Sequence, residues 1–587
     1  IEHELYCHGH LIEAGVSHKI ATGSDSLLQI CRRAADRIVE DFQDAGPEGT
    51  DGHEEIELAL IRLYRLTGEA AYLSQAQRFI EQRGRICGFA WKIWQQNASV
   101  ASRRKAIIQM RQNYIAAHSE HAAFELPPGN KAVQPRNSQL RSKLSALSGK
   151  MFQQHAPFEK QTIPVGHAVR FGYLETAAAM LLREKSGTEI HPYRIAMEQT
   201  WERMVTRRMY VTGGLGAQPG LEGFGRDYDL NPEYAYAETC AALASMFWSW
   251  ELALLTGQAK YSDLFEWQLY NASAVGMGLS GATYLYNNPL ACRGGVVRKP
   301  WYAVPCCPSN LSRTWADLGS YIYFSEGDSL TIHQLIGSTL NVEMEGTALS
   351  VEMNSRLPWE GDIVIRLQPE TPAEFTVALR IPSWAADTPQ IQVNQAPLAL
   401  PPTPTGLEAT ACGYDPRKSR FAILHRRWSA GDEIILHLEL PVTLQHAHPK
   451  VKGHAGKAAL TRGPLVYCLE SVDNPGVDIF TTPLRIESLR AEPAPDLLGG
   501  IWVLRGETMT GKPIEISLSW SVVPGHDQDY SKVIVTTTDI TERKQAENAE
   551  RQQRALAEAL RDTAEILNST LEYGEVLDHI LAAVGRV

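Results

Sequence analysis

The chain has 587 residues, 44% hydrophobic and 21% charged, with a formal net charge of −11 and a pI near 5.9. That length spans roughly three to five domains, and the mild acidity excludes the basic face that a nucleic-acid surface needs. No run of about 18 apolar residues occurs, so no transmembrane helix, and no membrane partner, is expected. Nine cysteines at irregular spacing do not read as the framework of a small secreted domain. They are expected to be reduced, either buried as small hydrophobes or bound to metal. The cytoplasm is the expected compartment, with secretion left open because Ile1 falls within an apparent helix.

Residues 1–325 read as one helical unit. From Ser26 to Phe42 apolar side chains recur at Leu27, Leu28, Cys31, Ala34, Ala35, Ile38 and Phe42, which gives a helix with one buried face. The stretch from Ile56 to Leu66 is similar and runs into Gly68, a C-cap. "RLTGEAAYLSQAQRFI" (65–80) and "LLTGQAKYSDLFEWQL" (254–269) share a helix, Thr-Gly, a turn, Tyr and a new helix, with a weaker copy in "IATGSDSLLQIC" (20–31). Helical hairpins recurring in this way predict a toroid of paired helices. Residues 86–154 break the texture with "ASRRKAIIQMRQ" and "PPGNKAVQPRNSQLRSKLS", which read as a solvated insertion. Phe247, Trp248 and Trp250 keep helical spacing and are expected in the core.

After Phe324 the pattern switches to period two. "SLTIHQLIG", "TLNVEMEGTALSVEMN", "DIVIRLQ" and "FTVALRIPSW" alternate between Gly and Pro punctuation. "RFAILHRRWSAGDEIILHLELPV" (420–442) predicts a hairpin turning at Ala430-Gly431-Asp432. An antiparallel β-sandwich is expected over 326–450 and a second β-rich domain over 451–524. The tail, 525–587, reads as a strand and charged helix followed by an amphipathic helix with Ile566, Leu567, Leu571, Val576, Leu577, Ile580 and Leu581 on its apolar face. That helix is expected to pair with another chain, as in a homodimer.

The chemistry concentrates in "GGLGAQPGLEGFGRDYDLNPEYAYAETCA" (213–241) and "WYAVPCCPSN" (301–310). The glycines are a weak match to a phosphate cradle, because "GGLG" is not followed by Lys-Ser/Thr and does not join a strand to a helix. Glu238, Cys240, Cys306 and Cys307 together offer three sulfurs and a carboxylate, a set that suits tetrahedral Zn²⁺. No Cys-x-x-Cys knuckle supports it, so unliganded buried thiols and a vicinal disulfide stand beside zinc as readings of the residues alone.

"HELYCHGHLIEAG" (3–15), "GHEEIELALIRLYRLTGE" (52–69), "VGHAVR" (165–170), "YVTGGLG" (210–216), "DYDLNPEYAYAETCA" (227–241), "YNNPL" (286–290) and "CCPSN" (306–310) resemble glycoside hydrolase family 127, the β-L-arabinofuranosidase type. "LRIPSWA" (379–385) and "LTRGPLVYCLE" (460–470) resemble its β-rich half. The resemblance implies an (α/α)6 barrel whose pocket holds zinc on a Glu and three Cys, one of them the nucleophile. The ligands fall at Glu238, Cys240, Cys306 and Cys307, with Cys306 in the nucleophile's position and Glu222 in that of the general acid/base. His10, His53, His167, Glu266 and Tyr286 match positions that line the sugar pocket.

Such a scheme is physically coherent. Zinc deprotonates a coordinating thiol that would otherwise be mostly protonated at neutral pH. The thiolate then replaces one of the two carboxylates of a retaining glycosidase. Glu222 must begin protonated, so its pocket is expected to raise its pKa. Two departures from the family accompany this: a segment ahead of "HELYC" is not present, which would leave the toroid open on one side, and 86–154 does not resemble the family. The tail resembles the end of a PAS sensory domain running into the opening helix of a GAF domain, neither complete. An alternative reading is therefore a non-catalytic sugar-binding or sensory fusion.

Overall fold

A computed structural model describes residues 3–95 and 138–517, apart from short stretches around 186–189, 279, 294–295, 303, 386–388, 496 and 498–499, together with 109, 110 and 113. The tail at 525–587, with the sensory-domain resemblance and the pairing helix expected there, lies outside the described residues, as does most of 86–154.

Ten helices carry the first domain among the described residues: α1 (Glu4–Thr22), α2 (Ser26–Phe42), α3 (Ile56–Thr67), α4 (Ala70–Gln82), α5 (Ser138–Leu147), α6 (Ala168–Glu184), α7 (Pro192–Arg207), α8 (Thr239–Thr256), α9 (Ala259–Gln268) and α10 (Cys306–Ala316). The Thr-Gly repeats are hairpin corners. Gly23, Gly68 and Gly257 each adopt the left-handed conformation, at φ 73°, 72° and 67°. Each returns its N–H to the last turn, to Lys19 O, Tyr64 O and Ala253 O respectively. Two kinds of helix result. α6 and α8 are buried all round, from Ala168 to Leu182 and from Thr239 to Ala253, so they form the inner layer. α2 and α4 bury one face only: α4 packs against α6, and α2 against α1 and α4. α6 and α8 touch at Gly172, where a β-carbon would stand 2.7 Å from that of Ala244, so the close approach excludes any larger residue. Phe247, Trp248 and Trp250 lie in this core at 6%, 0% and 9% exposure rather than facing a pocket.

The second domain is a sandwich of two sheets. One has the order β1-β2-β6-β9, from Tyr323–Glu326, Ser329–Ile332, Ala373–Ile381 and Arg420–Trp428. The other has the order β3-β4-β5-β10-β7-β8, from Ser338–Met344, Thr347–Ser355, Asp362–Pro369, Asp432–His437, Gln390–Val393 and Ala396–Pro397. All pairings are antiparallel except β2 with β6. Inward residues such as Val351, Ile365, Val377 and Leu436 are fully buried between the sheets. Two small three-stranded sheets follow, β11-β12-β13 (Val442–His446, Ala458–Arg462, Leu465–Tyr467) and β14-β15-β16 (Leu484–Ala494, Ile501–Thr508, Pro513–Ile516).

The hairpin expected at 430–432 is not one. Gly431 does turn the chain at φ 89°, but β9 pairs with β6 in one sheet and β10 with β5 and β7 in the other. Gly431 N–H bonds to Leu367 O of β5, so the turn is an arch between layers. Alternation and a glycine suit either geometry, and the partner strands decide.

The β domains grip α9. Arg380 of β6, fully buried, reaches Asp263 at 3.1 Å and Glu266 at 2.6 Å. The Tyr414 ring stacks on Trp267 with centroids 3.9 Å apart. Asn271, in a π-helical turn at the end of α9, donates to Pro464 O and accepts from Val466 N–H, both at 2.8 Å.

Candidate active site

Two helix N-termini meet at one point. Glu238 stands at the N-cap position of α8 without a side-chain cap bond and Cys240 sits in its first turn, while Cys306 and Cys307 open α10 directly after Pro305. Pro308 is tolerated there because the first-turn N–H groups of a helix have no intrahelical partner. The positive ends of both helices therefore face four groups that can carry negative charge.

Cys240 Sγ lies 3.2 Å from Cys307 Sγ, and Cys306 Sγ 4.0 Å from Cys307 Sγ. Glu238 Oε1 is 3.9 Å from each of Cys306 and Cys307. Ligands about 2.3 Å from a tetrahedral ion stand about 3.8 Å apart, and these separations bracket that value. The four donor atoms all lie within 4.8 Å of one another. Glu238 Oε2 is buried without a hydrogen-bond partner, an orphan that a cation would satisfy. The residues thus fit a soft-ligand divalent ion. The vicinal disulfide is excluded, since all nine cysteines are free.

Burial pushes the thiols of Cys240 and Cys307 well above their usual value. Cys306 goes the other way. Hydrogen bonds from Cys240 and Cys307 outweigh its burial, and the Tyr286 hydroxyl, 3.2 Å away, adds to them. Cys306 is also the one partly exposed member of the three. It is the sulfur a ligand can reach.

Glu222 is placed by backbone contacts. Its carbonyl accepts from Ala168 N–H at 3.1 Å, and Phe224 N–H bonds to Gly166 O at 2.9 Å, which ties the Gly-rich loop to the start of α6. Gly223 permits this, because a β-carbon there would stand 1.8 Å from Gly166 O. His167 caps α6 by accepting Val169 N–H on Nδ1. Its proton therefore sits on Nε2, which donates to Glu222 Oε2 at 3.2 Å. The expected rise in the Glu222 pKa is not what these contacts produce. Burial works upward, but the hydrogen bonds from His167 and Tyr236 and the charge of Arg170 bring the net shift below the ordinary value. A Glu222 oxygen lies within 4.8 Å of a Glu238 oxygen, so both belong to one pocket.

The remaining predicted residues divide. His10, His53 and His167 form a wall with Tyr6: the Tyr6 ring is 4.5 Å from His10 and 4.4 Å from His53, and His53 is 5.6 Å from His167. His10 Nδ1 is held 3.0 Å from Glu55. Tyr286 touches the Cys306 sulfur itself. Glu266 is elsewhere: its carboxylate bonds Arg380 and the indole of Trp384 in the grip on α9. Tyr6, Glu55, Arg170, Tyr236 and Asn310 were not singled out from the sequence. Tyr6 had a signal, its i,i+4 spacing from His10 on one helix face. Asn310, whose amide donates to Cys240 Sγ at 3.3 Å, follows Cys307 by three residues and so lies over it by one helical turn.

This frame and pocket define a glycoside hydrolase. The model of the β-L-arabinofuranosidase GH127 catalytic domain matches residues 2–320, that of the GH127 middle domain 329–440, and that of the family 127 C-terminal domain 442–546. The chain belongs to glycoside hydrolase family 127 and is a glycosidase. It is 32% identical over 526 residues to a non-reducing end β-L-arabinofuranosidase of Bifidobacterium longum subsp. longum, covering 85% of this chain and 70% of that protein. A crystal structure of a GH127 β-L-arabinofuranosidase from Geobacillus stearothermophilus T6 superposes with a TM-score of 0.71 at 34% identity, over 88% of this chain and 78% of that one. A GH127 β-arabinofuranosidase follows at 0.68 and 26% identity, over 88% and 74%.

Proposed function

We propose that the protein removes non-reducing β-L-arabinofuranosyl or closely related residues with retention, using Cys306 as nucleophile, Glu222 as acid/base and zinc on Glu238, Cys240, Cys306 and Cys307. The observation that carries this is the convergence of those four donors beside Glu222. Bound zinc would hold the coordinating thiols ionised without a neighbouring base. Cys306 Sγ attacks the anomeric carbon as the glycosidic C–O bond breaks, and Glu222 passes its proton to the departing oxygen. Sugar entering the mouth displaces water and so favours the protonated carboxyl against the pull of His167. In the second step Glu222 takes a proton from water, the water oxygen bonds to the anomeric carbon, and the C–S bond returns its electrons to Cys306. His10, His53 and His167 line the side from which the sugar enters.

Metal analysis should find about one zinc per chain, and the wild-type protein should release p-nitrophenol from its β-L-arabinofuranoside. Cys306→Ser should abolish that release. Metal-free protein hydrolysing the glycoside undiminished would refute the proposal, as would full activity in Cys306→Ser.

A further inference from the structure

Asn310 is fully buried one turn into α10 and makes three directed contacts. Its Nδ2 donates to Cys240 Sγ at 3.3 Å and to the Tyr173 hydroxyl oxygen at 2.8 Å, while its Oδ1 accepts Arg313 Nε–H at 2.8 Å. The amide cannot be turned over, because a guanidinium has no acceptor and would then face an NH₂ group. Arg313 is itself fixed: its Nη1 bonds Glu13 Oε2, and Glu13 Oε1 lies 3.0 Å from Arg62 on α3. Glu13 is 4% exposed, so its carboxylate is shielded from water between the two arginines. A chain of contacts thus runs from α1 and α3, through Arg313 and Asn310, to one sulfur of the cluster.

We propose that Asn310, locked by Arg313, is a positioning residue of the metal centre that donates an N–H to Cys240 and thereby separates a structural sulfur from the reacting one. This rests on the zinc reading above. An N–H···S bond withdraws charge from the sulfur, which dulls it as a nucleophile while leaving it a ligand. Among the described residues no side-chain amide reaches Cys306, whose shortest polar contact is the Tyr286 hydroxyl at 3.2 Å. The site therefore treats its sulfurs unequally, and the residue responsible touches neither sugar nor metal.

The test is metal binding rather than turnover. Asn310→Asp keeps the volume and the acceptor for Arg313 but removes both N–H groups. Zinc affinity by chelator competition should fall about 10- to 100-fold, and the sulfur-to-metal absorption band of the cobalt-loaded protein should move, with cooperative unfolding retained. A folded variant with wild-type affinity and an unmoved band overturns the proposal. If the variant does not fold, wild-type protein loaded with cadmium-113 and labelled with nitrogen-15 asparagine decides. One side-chain amide proton should couple to the metal through the sulfur, and no coupled asparagine overturns the inference. Wild-type protein that binds neither zinc nor cobalt would instead sink the metal reading itself.

Discussion

Arg380→Met tests what holds the catalytic layer to the β domain. The guanidinium is fully buried between Asp263 and Glu266, donating to His333 O as well. Burial works to lower its pKa, but Glu266 and then Asp263 outweigh it and hold the charge firmly. Methionine fills similar space and leaves two buried carboxylates without a counterion. Breaking a buried pair from one side costs about 3–5 kcal/mol, and Asp263 still has Ser383 and Tyr414 as donors, which argues for the lower half. At a urea dependence of about 3 kcal/mol per M, the midpoint should fall by roughly 1 M. Adding Asp263→Asn and Glu266→Gln to Arg380→Met should recover most of that loss, because no uncompensated charge is then buried. Urea titration by tryptophan fluorescence is the assay. A midpoint within about 0.2 M of wild type in the single variant would show that the reasoning fails.

Three further outcomes are expected. Glu222→Ala should lose about 100- to 10,000-fold in kcat toward poor leaving groups and far less toward dinitrophenyl glycosides, because the missing proton matters only when the leaving group needs it; equal losses on both would remove Glu222 as the acid. Gly223→Ala should cost activity at little change in zinc content, since its β-carbon collides with Gly166 O and displaces the Glu222 loop; unaltered kinetics would contradict that placement. His333, held at about 3 by burial and then by Arg380, stays neutral in the folded protein below pH 6.5, where the unfolded chain takes up a proton. Stability should therefore fall as pH drops from 6.5, by at most about 2 kcal/mol at pH 5 from this residue. His333→Gln should flatten the measured slope of midpoint against pH by that share, and an identical slope would count against it.

Helical order was legible where the sequence punctuates itself. Thr-Gly corners at Gly23, Gly68 and Gly257 have a local cause, the left-handed C-cap, and local causes are written in local residues. Strand partnership is not local, so the arch at Gly431 reads as a hairpin until β6 and β5 are seen to claim its two arms. The site divides the same way. Glu238, Cys240, Cys306 and Cys307 were recoverable as a cluster by residue type and family motif. Spacing did not distinguish Glu266 from its pocket neighbours, since its fate depends on an arginine 114 positions away. The direction of the Glu222 shift was equally out of reach: it depends on which nitrogen of His167 the α6 cap occupies.

The grip on α9 has a practical side. Family matches change at 320–329, an inviting place to cut the gene. A fragment ending there would lose Arg380 and Tyr414, wetting the carboxylates of Asp263 and Glu266 and baring one face of the Trp267 ring. The catalytic layer matches a family model of its own yet leans on the β domain for these contacts, and its excised form should be recovered as aggregate.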